Sequence, residues 1–205
     1  MQSAHTSVHE ARHAVTDHPI HPLLEARWSP RAFAGRAVET DKLRALLEAA
    51  RWAPSAINLQ PWRFAYGLRG DEGFAALAAT LAPGNALWAP KAAALVAIAS
   101  KETMLPAGAD AEVINPAHAF DAGAAWVSLA YQAQRAGWVA HAMGGFDHAA
   151  AAQALGLPAG HAVHAVIAIG RRGAAEALPE ALQAREQPSQ RLPLERIAAR
   201  GRFPA

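Results

Sequence analysis

The spacing of hydrophobic residues predicts an amphipathic helix that begins near residue 40. Its apolar face recurs at i, i+3, i+4 and i+7, the period of one side of a helix, and consists of Leu43, Leu46, Leu47 and Ala50. Thr40 can cap this helix at its N-terminus. Pro54 prevents its continuation, because proline lacks the backbone N–H that the next helical turn requires. One face of this helix is therefore expected to pack on the core.

Other apolar segments predict four strands and three further helices. Short apolar or alternating runs place the strands at residues 63–68, 92–99, 138–141 and 162–169. Asp71 and Asp147 can each cap a helix, one reaching residue 81 and the other ending at residue 156. Residues 116–135 form a long apolar helix that we expect to be central. Strands at both hairpin and crossover spacings predict an α+β fold with helices around one sheet.

The composition predicts one globular domain with two different ends. The chain has 205 residues and is 52% hydrophobic, which is sufficient for a sizeable core. Residues 1–20 are polar and rich in histidine, and we expect a flexible tail there. The domain is assigned to residues 21–173. Residues 174–205 are rich in Pro, Glu, Gln and Arg and are expected to form an arm of the same domain that reaches a partner subunit.

Charge and cysteine content exclude several classes of function. The formal net charge is +2 and no run of five or six basic residues occurs, so nucleic acid is not an expected partner. The chain has no cysteine, which excludes disulfides, thiolate metal sites and a cysteine nucleophile, and any redox chemistry must use a bound cofactor. No apolar stretch of about 18 residues occurs without Pro, Gly or charge. We therefore expect no membrane association and a cytoplasmic location.

Residues 53–62, with the sequence APSAINLQPW, carry the strongest functional signal. Pro54 forbids helix and Pro61 biases the preceding residue, Gln60, toward an extended conformation. Ser55, Asn58 and Gln60 are thus expected on a stiff, non-helical segment. Each amide offers both a donor and an acceptor, which suits a flat polar ligand.

Together with four other segments in the same order, this turn resembles the nitroreductase family over roughly residues 19–203. The other segments are RWSPRAF at 27–33, GNALW at 84–88, AMGGFD at 142–147 and SQRLPL at 189–194. The resemblance implies a central, mostly antiparallel sheet flanked by helices. It assigns contacts with a noncovalent FMN to Arg27, Trp28, Ser29, Arg31, Pro54, Ser55, Ala56, Asn58, Gln60, Asn85, Met143, Gly144, Gly145 and Arg191.

Particular roles follow from the same resemblance. Arg27, Ser29 and Arg191 would hold the FMN phosphate, and Arg31 would lie against the polar edge of the flavin. Ala56 stands where a second serine is common in the family, which removes one hydroxyl. Taken singly, each segment is also compatible with an ordinary structural role, such as a solvated arginine pair, a proline-bounded loop or a turn between a strand and a helix.

The resemblance further implies an FMN-dependent oxidoreductase that uses NAD(P)H to reduce nitroaromatic, quinone or related small-molecule acceptors. Turnover would be ping-pong, with hydride transfer at flavin N5 and no catalytic side chain. The protein would be a homodimer with shared active sites. Two alternatives remain open: a flavin-binding protein without physiological turnover, and a specialised family member that cleaves flavin or removes halogen.

A competing motif lies near the N-terminus, where residues 9–13 match H-E-x-x-H. A zinc peptidase requires this motif on a buried helix with a third ligand downstream, whereas this copy lies in the polar tail, so we expect no metal site. Neither a phosphate-binding P-loop motif nor a G-x-G-x-x-G dinucleotide motif occurs. His118, Asp121 and His141 could form a proton relay, although structural histidines explain them equally well. Ser55 has no evident neighbouring base.

Overall fold

The structure is a computed structural model that describes residues 13–204. Its sheet has four strands: β1 (Trp62–Leu68), β2 (Ala94–Lys101), β5 (Val139–Met143) and β6 (His161–Gly170). A separate two-stranded hairpin consists of β3 (Thr103–Met104) and β4 (Val113–Ile114). The large sheet has the strand order β1-β2-β6-β5, and every neighbouring pair is antiparallel. The predicted antiparallel sheet is confirmed.

Helices cover the sheet, which confirms the α+β class. They are α1 (Pro22–Ala26), α2 (Thr40–Arg51), α3 (Glu72–Ala79), α4 (Pro83–Ala86), α5 (His118–Arg135), α6 (His148–Ala154) and α7 (Glu180–Gln183). The hairpin and the short helices α1, α4 and α7 were not predicted, because segments of two to five residues carry too little hydrophobic periodicity to be recognised.

Each face of the sheet carries its own hydrophobic cluster. Strand β2 is buried on both sides, and its successive side chains alternate between the two clusters. Leu95 faces Phe74 and Leu77 of α3, and Val96 faces the apolar sides of α2 and α5. Most of the buried side chains of α5 are alanines, whereas its large Phe120 side chain is 83% exposed. Burial of this apolar surface supplies the main stabilisation of the fold.

The helix caps agree with the sequence at two of three positions. Asp71 Oδ1 accepts a hydrogen bond from Phe74 N at 2.7 Å, and Asp147 Oδ1 accepts one from Ala150 N at 2.9 Å. Thr40 is not a cap: it is the first residue of α2, and the preceding Glu39 occupies the cap position without a side-chain hydrogen bond. The hydrophobic period locates the helix but does not resolve a shift of one residue at its end.

The turn at residues 53–62 differs from the prediction in its backbone. It contains a single tight turn at Ala56–Asn58, in which Ile57 has φ +43° and Asn58 has φ +59°, so the turn does not have the backbone of a right-handed helix. Gln60 has φ +49° and is not extended, although proline follows it. Ser55 Oγ accepts a hydrogen bond from Gln60 N at 3.0 Å, and this contact helps to hold the left-handed conformation against the bias that proline imposes.

The start of the described chain and the first part of its C-terminal segment contact the domain. Ala14 N donates a hydrogen bond to the Glu25 carbonyl at 2.9 Å. In the C-terminal segment, Leu178 and Glu186 are buried, whereas residues 191–203 are exposed. Within residues 13–204, none of the helices has the length and hydrophobicity needed to cross a membrane.

Candidate functional site

The segment after α1 and the segment near the C-terminus form one pocket of about 130 Å³. Its lining consists of Arg27, Trp28, Ser29, Arg31, His141, Gln187, Ser189 and Arg191. A larger cavity of about 430 Å³ shares Arg27 and Arg191 and extends toward residues 13–16. The fold therefore brings together five residues that the sequence assigned to the site from two segments about 160 positions apart.

Positive charge accumulates in this pocket. Burial lowers the pKa of Arg27; Tyr131 acts in the opposite direction, and the positive charge of Arg191 lowers the pKa further. Among the described residues, no carboxylate forms an ion pair with Arg27 or Arg191. Two guanidinium groups that repel each other in a partly buried pocket favour binding of an anion, because a guanidinium forms strong charge-assisted hydrogen bonds with phosphate or carboxylate oxygens.

Arg31 lies beside this pair and also lines a neighbouring cavity of about 310 Å³ together with Arg185. Its Nη1 lies 3.5 Å from the Arg185 carbonyl oxygen. Burial lowers the pKa of Arg31, the charge of Arg185 lowers it further, and Glu186 opposes this. Arg31 thus extends the positive surface away from the Arg27–Arg191 pair.

The backbone that carries Ser29 and Arg31 is held by two distant side chains. Glu186 accepts hydrogen bonds from Arg31 N and Ala32 N, each at 3.0 Å. At the preceding residue, Nδ1 of His141 lies 3.0 Å from the Pro30 carbonyl oxygen.

His141 is also packed against an aromatic group. Its ring centroid lies 4.6 Å from that of Trp88, and Trp88 in turn lies 6.1 Å from Phe33. Burial lowers the pKa of His141 to about 4; the Pro30 carbonyl opposes this shift, and the positive charge of Arg31 adds to it. The imidazole is therefore neutral near pH 7.

A second group of predicted residues lies at the turn between β5 and α6. Asn85 Nδ2 donates a hydrogen bond to the Gly145 carbonyl at 2.8 Å, and Ala82 N donates to the same oxygen at 3.0 Å. Met143 is buried, whereas Gly144 is exposed and a methyl group placed on it would meet no protein atom within 4 Å. The structure thus brings Asn85 and Gly145 together and leaves Gly144 open to solvent.

The third group, in the turn at residues 53–62, does not contribute to the lining of the arginine pocket. Its Pro54, Ala56, Asn58 and Gln60 are exposed, and Ser55 is half-buried. The turn is anchored to α5, because Asp121 Oδ2 accepts a hydrogen bond from Ala56 N at 3.2 Å. Asn58 and Gln60 remain exposed to a ligand or to another protein surface.

The relay suggested by His118, Asp121 and His141 does not exist as one network. His118 Nδ1 lies 2.8 Å from Ser100 Oγ, which is also 2.6 Å from His164 Nε2. Asp121 and His141 use their side chains on the separate contacts described above.

The structure does not test the complete H-E-x-x-H motif, since His9 and Glu10 lie outside the described residues. Within residues 13–204, no group of three or more histidine or acidic side chains is arranged to hold a metal ion.

Sequence reasoning missed Glu186 and the contact of His141 with the backbone. The partners of Glu186 are 154 and 155 positions away, and a single glutamate in a polar segment carries no local signal of burial. His141 lies on a predicted strand, which marks it as a core residue but does not reveal that Nδ1 faces the Pro30 carbonyl.

Comparisons with known proteins identify the family. The Nitroreductase family model matches residues 24–78. A crystal structure described as an oxidoreductase containing FMN is 40% identical, covers 93% of this chain and 96% of its own, and superimposes with a TM-score of 0.89. An uncharacterized 15.4 kDa protein in the ask 5' region of Mycolicibacterium smegmatis is 38% identical over 69% of this chain and 97% of its own length. The chain belongs to the nitroreductase family.

A more distant structure shares the same fold. The protein from Desulfovibrio desulfuricans, solved in complex with FMN, is 27% identical, covers 91% of this chain and all of its own, and gives a TM-score of 0.69. The similarity therefore extends over almost the whole chain.

Proposed function

We propose that this protein is an FMN-dependent oxidoreductase that uses NAD(P)H to reduce a small organic acceptor, such as a nitroaromatic compound or a quinone. The pairing of Arg27 with Arg191 in a partly buried pocket is the observation that carries the proposal. Family membership and two relatives solved with FMN support it.

The residues of the pocket fit the phosphate end of FMN. The phosphate group carries between one and two negative charges near pH 7, and two arginines that form no ion pair with a carboxylate of residues 13–204 match that charge. Ser29 adds a hydroxyl to the same pocket. An uncharged ligand would leave the repulsion between the two arginines in place, so it fits this pocket less well.

Other side chains would orient the ring system. Arg31, which lines the same pocket and a neighbouring cavity, would face the polar edge of the flavin. Gly144 offers an open surface, and Asn85 fixes the neighbouring backbone through Gly145. When bound, FMN supplies hydride acceptance and donation at N5, so the protein needs no acid or base side chain of its own.

We further propose that the reductant and the acceptor use the same exposed face of the cofactor in turn, which gives ping-pong turnover. The proposed assembly is a homodimer in which Asn58 and Gln60 of one subunit cover the cofactor of the other, since this exposed turn does not line the arginine pocket of its own chain.

An absorbance spectrum of the purified protein tests the proposal. We expect a flavin spectrum, bleaching upon anaerobic addition of NADH or NADPH, and its return upon addition of a nitroaromatic or quinone acceptor. Initial rates at several acceptor concentrations should give parallel double-reciprocal lines.

Each failure identifies a different part of the proposal. A colourless protein that does not bind added FMN at micromolar concentration would contradict the cofactor assignment. If bound FMN is reduced but no organic acceptor reoxidises it faster than oxygen does, acceptor reduction would be wrong. If NAD(P)H does not reduce bound FMN at all, the protein would instead be a flavin-binding protein without turnover.

A further inference from the structure

Two side chains from distant parts of the sequence hold the backbone of residues 30–32. Glu186 lies in the C-terminal segment and His141 lies on β5, and they contact three successive residues of the same loop: Pro30, Arg31 and Ala32. The loop directly follows Ser29 and includes Arg31, two of the residues that line the arginine pocket. Its conformation therefore decides where these two side chains point.

Glu186 is only 1% exposed, which is unusual for a carboxylate. Such a group is expensive to bury unless it receives hydrogen bonds, and here it accepts them from Arg31 N and Ala32 N. Its chain neighbours, Arg185 and Gln187, both line cavities next to the loop. The contact therefore fixes the start of the segment that leads to Arg191.

His141 holds the loop at Pro30, the residue before the two that Glu186 contacts. A carbonyl oxygen only accepts hydrogen bonds, so the contact of 3.0 Å with Pro30 requires a proton on Nδ1. The tautomer is thereby fixed as Nδ1–H, and the lowered pKa of this buried group agrees with a neutral ring. The ring also contacts Trp88, with 4.6 Å between the centroids and an angle of 39° between the planes, and this packing limits the orientations open to the imidazole.

We propose that Glu186 and His141 are positioning residues that align the two halves of the arginine pocket on one anion. Glu186 joins the loop to the segment carrying Arg191, and His141 joins the same loop to β5. This inference rests on the proposed function, because the anion is taken to be the FMN phosphate.

The first test compares Glu186→Gln with Glu180→Gln, a matched control at an exposed position of the same C-terminal segment. Glu186→Gln removes the charge and places an amide N–H₂ against the backbone N–H of Arg31. We expect FMN binding about 5- to 100-fold weaker, the range given by the loss of a buried charge-assisted contact. Glu180→Gln should bind FMN like the unmodified protein.

The second test separates hydrogen bonding from packing at His141. Asparagine can place an amide N–H near the position of Nδ1–H, whereas phenylalanine keeps the ring and loses the donor. We expect His141→Asn to retain most FMN affinity and His141→Phe to lose it. If His141→Phe instead binds FMN more tightly than His141→Asn, the ring of His141 contributes only packing, and its positioning role would be overturned. His161 offers a control, since its Nδ1 contacts the Ala159 carbonyl at 3.2 Å away from the pocket, and His161→Phe should leave FMN affinity unchanged.

Hydrogen–deuterium exchange of the cofactor-free protein separates this inference from the proposed function. Glu186→Gln should accelerate exchange at the amides of Arg31 and Ala32, and Glu180→Gln should not. Faster exchange in a protein that binds no FMN would support the positioning of the loop and contradict the cofactor assignment. Unchanged exchange, or unchanged FMN affinity in a folded Glu186→Gln variant, would overturn the role of Glu186. If Glu186→Gln does not fold, the positioning role is tested by His141 alone: FMN affinity should be higher in His141→Asn than in His141→Phe.

Discussion

At the scale of single residues, the two arginines of the pocket, Arg27 and Arg191, give the most direct prediction. Arg27→Ala or Arg191→Ala should each weaken FMN binding by about 1.5–3 kcal/mol, since each removes charge-assisted hydrogen bonds to the phosphate. Isothermal titration of cofactor-free protein with FMN measures the change. Arg44→Ala, an exposed arginine on α2, is the matched control and should have no effect. Unchanged affinity in both pocket variants would remove these arginines from the site.

His141 predicts a specific dependence of stability on pH. Its pKa is about 4 in the folded protein against an ordinary value of 6.5, because burial disfavours the charged ring. The unfolded chain therefore binds the proton more readily between these values, so the contribution of His141 to stability is complete above pH 6.5 and is lost as the pH falls toward 4.

We expect this loss to be about 1–2 kcal/mol at pH 5. Urea unfolding of the unmodified protein and of His141→Asn, at pH 7.5 and at pH 5, isolates the contribution, because asparagine does not titrate. An equal loss of stability in the two proteins upon acidification would contradict the prediction.

At the scale of secondary-structure elements, the corrected caps can be tested by stability. Asp71 accepts hydrogen bonds from Phe74 N and Leu68 N, so Asp71→Ala should reduce the free energy of unfolding by about 1–2 kcal/mol. Thr40→Ala should cost less than about 0.5 kcal/mol, since Thr40 is exposed and does not cap α2. Denaturant unfolding measures both; an equal loss would restore Thr40 as a cap.

The turn between β5 and α6 allows a test for a ligand. Within residues 13–204, the methyl group of Gly144→Ala would meet no atom within 4 Å apart from its chain neighbours, so stability should be nearly unchanged. If the flavin lies against this turn, the added methyl group should weaken FMN binding by at least about tenfold, because a close-packed contact tolerates little overlap. Titration with FMN and thermal unfolding of the same variant separate the two effects. Normal FMN affinity would place the ring elsewhere.

A comparison of the observed elements with the sequence shows which features could be predicted: those that depend on residues close together in the chain. The long strands and helices followed from hydrophobic period, and Asp71 and Asp147 were recognised because capping depends on residues within one turn. Gln60 was misjudged because the bias from Pro61 is local, whereas the competing contact with Ser55 Oγ joins two residues that are five positions apart. Glu186 could not be found, because its partners are adjacent only after the C-terminal segment has packed on the loop.

At the scale of the whole molecule, the proposed site is divided among separate surfaces. The arginine pocket joins the segments around residues 27–31 and 187–191, whereas the turn with Asn58 and Gln60 is held on α5. Ile57, within this turn, is 82% exposed, and Phe120, the neighbour of Asp121 on α5, is 83% exposed. Large exposed apolar side chains beside exposed amides are typical of a surface that contacts a partner. This arrangement supports the proposal that two subunits complete each site.

Subunit mixing tests this proposal directly. Arg27→Ala/Arg191→Ala disables the arginine pocket, and Asn58→Ala/Gln60→Ala disables the turn, so each variant alone should be inactive. If each site takes the pocket from one subunit and the turn from the other, one site of every mixed dimer is intact. Random mixing in equal amounts should then restore about a quarter of the unmodified activity, because half of the dimers are mixed and half of their sites are intact. If the pocket and the turn of one chain serve the same site, every site in the mixed dimer carries a defect, and no activity returns. Sedimentation equilibrium of the mixture, with one variant labelled, verifies that mixed dimers have formed.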